Sequence, residues 1–300
     1  MFDYALLQAL GSVIREGSFD KAAIALNVTP SAISQRIKLL EERVGCVLVK
    51  RGQPCRATET GALLCRHLER VDLMEADLRR QMPESGYQQE EAAAGWPTLR
   101  IAVNDDTMAT WFIPAIAPFV LARGLLLDVV IDDQDHTAQL LKEGAVQGAI
   151  TAEAGPIRGC RIIKLGAVRN YTVCAPAFHR RYFSTGTGYE QLRQAPCVRF
   201  NHKDNLQRVF MRKLTRRDPE PPTHWLPSAN GYLHAYLGGL GWGLAPEHLV
   251  AAHLERGELV ELLPGRHHDI ALYWQSWRLS IDLLEAFTAA LRAGAREVLR

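Results

Sequence analysis

Apolar positions near the amino end recur at helical spacing. Leu6, Leu10, Val13 and Ile14 mark one face of a helix over 2–16, which Gly17 ends before Ser18 caps the next. Phe19 to Leu26 reads as a short second helix whose Ala22, Ala23 and Leu26 allow close approach, and only Asn27-Val28 separates it from a third. Between Thr29 and Val44, residues Ile33, Ile37, Leu40 and Val44 form one apolar stripe. Ser31, Ser34, Gln35 and Lys38 fall roughly opposite it at about 100° per residue. All four donate hydrogen bonds and none is acidic. Thr29 and Pro30 start this helix as a cap and a first-turn proline. Two helices joined by a tight turn, the second with a donor-rich outer face, form the arrangement that lays a recognition helix into the DNA major groove.

Cys46 to Val49 then reads as a strand, Lys50 to Pro54 as a turn and Cys55 to Ala57 as the return, a small wing with basic residues at its tip. Thr58-Glu59 caps a helix reaching about Met82, striped by Leu64, Leu68, Val71, Met74 and Leu78. A lone helix with one apolar stripe is marginal. A second copy of the same helix would cover it, which predicts a homodimer or homotetramer; packing on the chain's own C-terminal part is the alternative. From 83 to 97 periodicity is lost, as in a linker.

Beyond the linker, strands and helices alternate. Leu99–Val103, Leu125–Ile131 and Gly148–Thr151 read as strands, with helices over Thr107–Leu121 and His136–Glu143, the pattern of α/β units on a parallel sheet. Segments 171–175, 196–200, 231–237 and 247–256 continue it as a second sheet region. Ile270–Trp274 reads as a late strand, and Ser280–Val298 as a final helix with Leu283, Leu284, Phe287 and Leu291 inward.

Composition narrows the class. The 300 residues are 47% hydrophobic and 23% charged, ordinary for a soluble protein of two or three domains. A net charge of +2 says little. Its distribution says more: Arg15, Lys21, Arg36, Lys38, Arg43, Lys50, Arg51 and Arg56 outweigh Asp3, Glu16, Asp20, Glu41 and Glu42, mostly from Arg36 onward, where a duplex backbone would pass. The six cysteines form no CxxC pair and no zinc spacing, so reduced thiols, no metal and no cofactor are expected. With no signal peptide and no run of 18 apolar residues, a cytoplasmic protein without membrane contact is expected. GxSxG, HExxH and P-loop motifs are absent, so no enzyme is expected and no residue is assigned a catalytic role. Gly238 to Gly243 misses the GxGxxG spacing and reads as a helix-to-strand turn, while His267-His268-Asp269 reads as a solvated loop.

The string AAIALNVTPSAISQRIKLLE over 22–41, followed by a basic wing and Thr58-Glu59-Thr60-Gly61, resembles the LysR-type transcriptional regulators. Segments 103–111, 200–204, 239–246 and 272–274 resemble the branch that regulates lysine and arginine export, the ArgP/LysG-like or chromosome-initiation-inhibitor proteins. The resemblance implies an α/β fold class with an N-terminal winged helix-turn-helix over 1–58 and a dimerising linker helix and hinge over 59–97. A two-lobed effector domain over 98–300, folded like a periplasmic binding protein, would follow. One lobe would span about 98–168 and 268–300, the other about 169–267, with the ligand cleft between. Double-stranded DNA and an amino-acid effector are the implied partners, an exporter gene the implied target, and RNA polymerase is left open as a further partner.

Candidate residues follow for two sites. Gln35 suits bidentate pairing with adenine, and Ser31, Ser34 and Lys38 base edges or phosphates. Thr29, Pro30, Arg36, Arg51 and Arg56 complete the DNA set, the wing arginines for phosphate or the minor groove. In the cleft, Asn104-Asp105-Asp106-Thr107 lies past the first strand and opens a helix, where open α/β sheets hold ligands. Thr107 and nearby amides suit an α-carboxylate, Asp106 or Asp105 an ammonium, with Thr110 alongside and Trp111 and Trp274 walling an alkyl stem. On the other lobe Asn201, Asp204, Ser228 and Asn230 would close the cleft. Lysine or arginine is the first expectation for the effector. However, Asn201, Asn205 and Asn230 stand where carboxylates would suit a cationic side chain, and Lys203 adds positive charge, which weakens that case and leaves a neutral or differently charged amino acid open. Two rivals remain: an architectural DNA-binding protein without an effector, and a solute sensor or enzyme with an incidental helical start.

Overall fold

The computed structural model describes residues 2–82, 97–132, 137–278 and 281–300. The expected linker at 83–96, and the starts of the helices expected at His136 and Ser280, lie outside these. The chain divides into two compact units, Met1–Pro97 and Thr98–Arg300.

In the first unit α1 spans Tyr4–Glu16, capped by the Asp3 carboxylate on the Ala5 N–H at 3.1 Å and closed by Gly17 at φ 68°. Helix α2 spans Phe19–Ala25; Ser18 precedes it, but its side chain makes no capping bond. Helix α3 spans Pro30–Val44, with Thr29 Oγ1 accepting from Ala32 N–H at 3.2 Å. Ile33, Ile37 and Leu40 are buried against Leu6, Leu10, Val13, Ala22 and Ala23, and Val44 packs at the rim. The wing is shorter than expected: β1, Val49–Lys50, pairs with β2, Arg56–Ala57. Its approach is held by side chains instead of a ladder. Glu41 Oε1 accepts from Leu48 N–H at 2.7 Å, and Thr58 Oγ1 donates to the Val47 carbonyl at 2.9 Å. Helix α4, Glu59–Gln81, divides its stripe: Leu64 and Leu68 join this core, whereas Met74 and Leu78 are more than half exposed.

The second unit contains, in order, β3 (Thr98–Val103), α5 (Asp105–Thr107), a π turn (Met108–Phe112), α6 (Ile113–Arg123), β4 (Leu126–Ile131), α7 (Thr137–Lys142), β5 (Gly148–Thr151) and β6 (Cys160–Cys174). Then come α8 (Pro176–Tyr182), α9 (Tyr189–Gln194), β7 (Cys197–Arg199), α10 (Leu206–Thr215), β8 (Thr223–Trp225) and α11 (Ala229–Leu237). It ends with β9 (Gly243–Pro246), α12 (Glu247–Glu255), β10 (Val260–Glu261), β11 (His268–Trp277) and α13 (Asp282–Val298). The helix expected over Thr107–Leu121 is interrupted because Pro114 cannot donate to the carbonyl four residues back, and the π turn lies immediately before it.

Strand β3 pairs in parallel with β4 and β5, and β11 runs antiparallel to β5. Two strands serve both lobes. The first part of β6, from Cys160 to Asn170, pairs with β11, and its last residues pair with β9 and β10. The apolar pattern marks only the end of β6, since Arg161, Lys164 and Gly166 interrupt its run. Gly166, at φ 147°, lies beside the register shift at Leu272/Tyr273. The segment after α13 docks there: Ala167 and Arg300 exchange backbone hydrogen bonds, and the Arg300 guanidinium reaches Glu247 at 2.9 Å. Among the described residues no helix is long and apolar enough to cross a membrane.

His267-His268-Asp269 is not the solvated loop expected. His268 and Asp269 lie in β11, Asp269 accepts two bonds from Arg169 at 2.9 Å, and His267 packs 4.4 Å from the Tyr171 ring. Arg169 holds the Asp269 carboxyl below its ordinary range. Gly238 to Trp242 makes the expected turn from α11 into β9, with Gly239 at φ 72°.

Trp274 shows how tightly the first lobe is packed. Its Nε1 donates to Thr288 Oγ1 at 2.9 Å, Phe287 lies 5.6 Å away, and a Cβ on Gly148 would come within 2.1 Å of the indole. Gly148→Ala should therefore destabilise by about 1–3 kcal/mol through overpacking. A lowered urea midpoint at unchanged slope is expected, and no change would contradict this packing.

Candidate functional site

The outer face of α3 is open. Thr29, Pro30, Ser31, Ser34, Gln35 and Lys38 are exposed, and Arg36 is half-buried. The same helix therefore buries Ile33, Ile37 and Leu40 while offering a hydroxyl- and amide-bearing surface. Thr29 Oγ1 and Ser31 Oγ lie 3.0 Å apart, and Lys38 sits 3.8 Å from Glu42 one turn on, a solvated pair of little energetic weight. On the wing Arg51 and Arg56 are exposed. Arg51 lies over the Phe19 ring at 5.2 Å, and the Cys55 N–H donates to the Gly17 carbonyl at 2.8 Å. Those contacts fix the wing to the start of α2. A rigid basic wing beside a polar helix suits backbone contact on one side and base contact on the other.

The second site lies between the lobes of the Thr98–Arg300 unit. Asn104, Asp105, Asp106 and Asp132 from one lobe, with Phe200, Asp204, Leu206, Gln207, Tyr232 and Leu244 from the other, enclose a void of about 40 Å³. Four of these ten residues are aspartates, and none is lysine, arginine or histidine. Asp105 and Asp106 follow β3 and Asp132 follows β4, the carboxyl ends of parallel strands where α/β sheets open to ligands. Asp204 is fixed by its surroundings: Phe200 N–H donates to one carboxylate oxygen at 3.0 Å and Leu206 N–H to the other at 2.9 Å. The Gln207 amide nitrogen, turned toward it, donates at 3.2 and 3.1 Å. Asp105 accepts a hydrogen bond from the Ala229 N–H at the start of α11, so one lobe's carboxylate touches the other lobe's helix end. The Tyr232 hydroxyl is buried with no hydrogen-bond partner among the described residues. Burial raises the Tyr236 phenol, with Cys197, Asp106 and Asp204 adding to the effect.

Several expected cleft residues stand elsewhere. Trp274 is core, as described above, and does not line the void. Trp111 is 2% exposed and does not line the void. Thr107 is buried beside the void without lining it, and the Thr110 hydroxyl turns back to the Asp106 carbonyl at 2.6 Å. Asn201 organises a turn by accepting from Lys203 and Asp204 N–H at 2.8 and 3.1 Å. Ser228 caps α11 through the Gly231 N–H at 3.2 Å, and Asn230 is exposed. Asp132, Gln207 and Tyr232 join the site without having been expected there. Asp132 carries the same signal as Asp105, an acid just past a strand, whereas Gln207 and Tyr232 lie on buried helix faces that a pattern cannot distinguish from core. The cleft is also less hostile to a cation than its asparagines suggest. Lys203 is exposed outside it, and Asp132 supplies a further carboxylate. All six cysteines are free, and burial pushes the Cys174 thiol up to about 12.

Comparison with known proteins places both units. Residues 4–62 match the bacterial regulatory helix-turn-helix protein family, lysR type, and residues 94–296 match the LysR substrate binding domain. The chain is similar to the transcriptional regulator LysG of Mycobacterium bovis, 42% identical over 98% of this chain and 94% of that one. It is similar to the crystal structure of ArgP from Mycobacterium tuberculosis, with a TM-score of 0.83 at 41% identity, covering 100% of this chain and 99% of the other. Full-length LysG from Corynebacterium glutamicum, solved with bound effector Arg, is 36% identical at a TM-score of 0.71, with 100% of each chain covered.

The two parts of the DNA face should respond differently to mutation. Gln35→Ala should cost about 1–3 kcal/mol of discrimination between a selected operator and scrambled duplex, by removing a bidentate base contact. Arg51→Ala should weaken binding to both duplexes alike and reduce the slope of log K against log salt by about 0.9 for each phosphate that Arg51 neutralises. Fluorescence anisotropy titrations across a salt series measure both. Wild-type protein that binds the two duplexes equally would refute the base-reading assignment.

Proposed function

The chain belongs to the LysR family of DNA-binding transcriptional regulators, which are not enzymes, and from that premise we propose that its effector is an amino acid with a cationic side chain, arginine or lysine. The observation that carries this reading is the set of four aspartates around the interlobe void, with no basic residue among its lining. Carboxylates that face one another favour a ligand that brings positive charge. The bound effector Arg of the Corynebacterium glutamicum relative supports the same reading.

Roles follow from position. Asp106, Asp132 and Asp204 take the guanidinium or ammonium of the side chain, while Asp105 and the start of α11 take the α-amino-acid end. Phe200, Leu206 and Leu244 contact the alkyl stem. On this proposal residues 1–58 read DNA in the cytoplasm, 59–97 pair subunits into a dimer or tetramer, and 98–300 sense the effector. Thr29 to Lys38, Arg51 and Arg56 contact the operator. The regulated gene encodes an amino-acid exporter, a reading supported by the name of a relative 39% identical over 98% of this chain, the lysine export transcriptional regulatory protein LysG of Corynebacterium efficiens. Effector binding controls transcription by favouring one arrangement of the paired subunits on DNA over another.

A thermal-shift screen across the twenty amino acids tests the reading, because a ligand of the native state raises the melting temperature by mass action. Arginine or lysine should give the largest shift. Asp132→Asn should weaken the best ligand by roughly tenfold or more in isothermal titration, consistent with about 1.5–3 kcal/mol for a hydrogen bond to a charged group. A neutral amino acid shifting the midpoint as far as arginine would overturn the assignment.

A further inference from the structure

We propose that Asp105 is an internal stand-in for the effector's α-carboxylate, which the effector must expel from the amino end of α11 before the cleft can accept it. The inference rests on the cationic amino-acid reading above and adds to it a determinant of ligand choice.

The first turn of a helix presents N–H groups and partial positive charge, so it favours an anion. In α11 the Ala229 N–H is already donated to Asp105, which lies 124 residues earlier and in the other lobe, and the Gly231 N–H is held by its own cap, Ser228. A second observation marks this helix end as built for a ligand. Tyr232, three residues into α11, is 5% exposed and lines the void, yet its hydroxyl meets no hydrogen-bond partner among the described residues. A buried phenol left unpaired is costly unless something bonds to it when the site fills. The void itself, about 40 Å³, has room for a few waters, and Asp105 lines it.

Binding is therefore an exchange. The ligand's carboxylate replaces that of Asp105 on the Ala229 N–H and also accepts from the Tyr232 hydroxyl. The displaced Asp105 pairs with the ligand's α-ammonium, one carbon away from that carboxylate. Every charge that loses a partner gains one. A ligand with a carboxylate and a guanidinium but no α-ammonium must displace Asp105 and offers it nothing, so the latch selects free amino acids over acylated ones.

The experiment uses the full-length protein with Asp105→Ala and Asp105→Asn, titrated calorimetrically with L-arginine and with Nα-acetyl-L-arginine. Hydrogen exchange of the 229–231 amides is followed without ligand, and thermal melting reports folding. Wild type should prefer arginine strongly. Asp105→Ala should bind acetyl-arginine about tenfold or more tighter than wild type does, collapsing that preference, and its Ala229 amide should exchange faster while Gly231, capped by Ser228, serves as the internal reference. Asp105→Asn, whose amide oxygen can still accept from Ala229, should exchange nearly as slowly as wild type. Acetyl-arginine affinity equal to or weaker than wild type in Asp105→Ala overturns the latch and leaves Asp105 a simple ammonium partner. If wild type binds no arginine, the effector reading fails separately, and the exchange data still decide: equal exchange in all three proteins overturns the latch.

Discussion

Like charges gathered around one small void are the constraint on which the behaviour of the effector cleft depends. Two unit charges 4 Å apart interact by about 4 kcal/mol at the effective dielectric found near a protein surface. Asp105, Asp106, Asp132 and Asp204 line a space of about 40 Å³, so the lobes close over them only where ionised oxygens find donors. Backbone amides supply part of that: Phe200 and Leu206 for Asp204, Ala229 for Asp105. On the proposed function a cationic ligand brings further donors to these carboxylates.

The fold delivers these groups by placing strand ends together. Asp105, Asp106 and Asp132 follow adjacent parallel strands, and the facing lobe presents the turn around Asp204 and the start of α11. Among the described residues, β6 and β11 carry the sheet from one lobe toward the other, with Gly166 and a register shift at their passage. Arg300 adds a tie across that passage to Glu247, whose second partner is the Tyr171 hydroxyl at 2.9 Å. A ligand shifts such an arrangement only by the difference in its affinity for the two states, and couplings of about 1–3 kcal/mol are typical of allosteric proteins.

Much of this is legible in the order of the amino acids alone. The two-faced helix at Pro30–Val44 is visible there because burial and exposure follow a period that four apolar and four polar residues are enough to define. The strand at Thr98–Val103 and the acids after it are visible for the same reason, with turn chemistry added. Other features are not, each for a physical reason. Strand β6 is paired along its whole length but carries polar residues on its open face, so its pattern is weak. Trp111 and Trp274 look like cleft walls, yet an aromatic ring beside a site in sequence can as easily point into the core. Asn201 and Ser228 look like ligands among the polar residues, but their side chains are engaged by nearby backbone N–H groups. Asp132 becomes legible once the strand-end rule used for β3 is applied to β4 as well.

Charge recognition in the cleft is tested most directly by comparing two ligands of nearly the same shape. L-arginine carries a guanidinium where L-citrulline carries a neutral ureido group. Isothermal titration of the full-length protein should show arginine binding at least about tenfold more tightly, a gap that narrows as Asp106, Asp132 and Asp204 are changed in turn to asparagine. Equal affinity for arginine and citrulline in the wild-type protein would contradict the account, because Asp106, Asp132 and Asp204 would then be reading something other than charge.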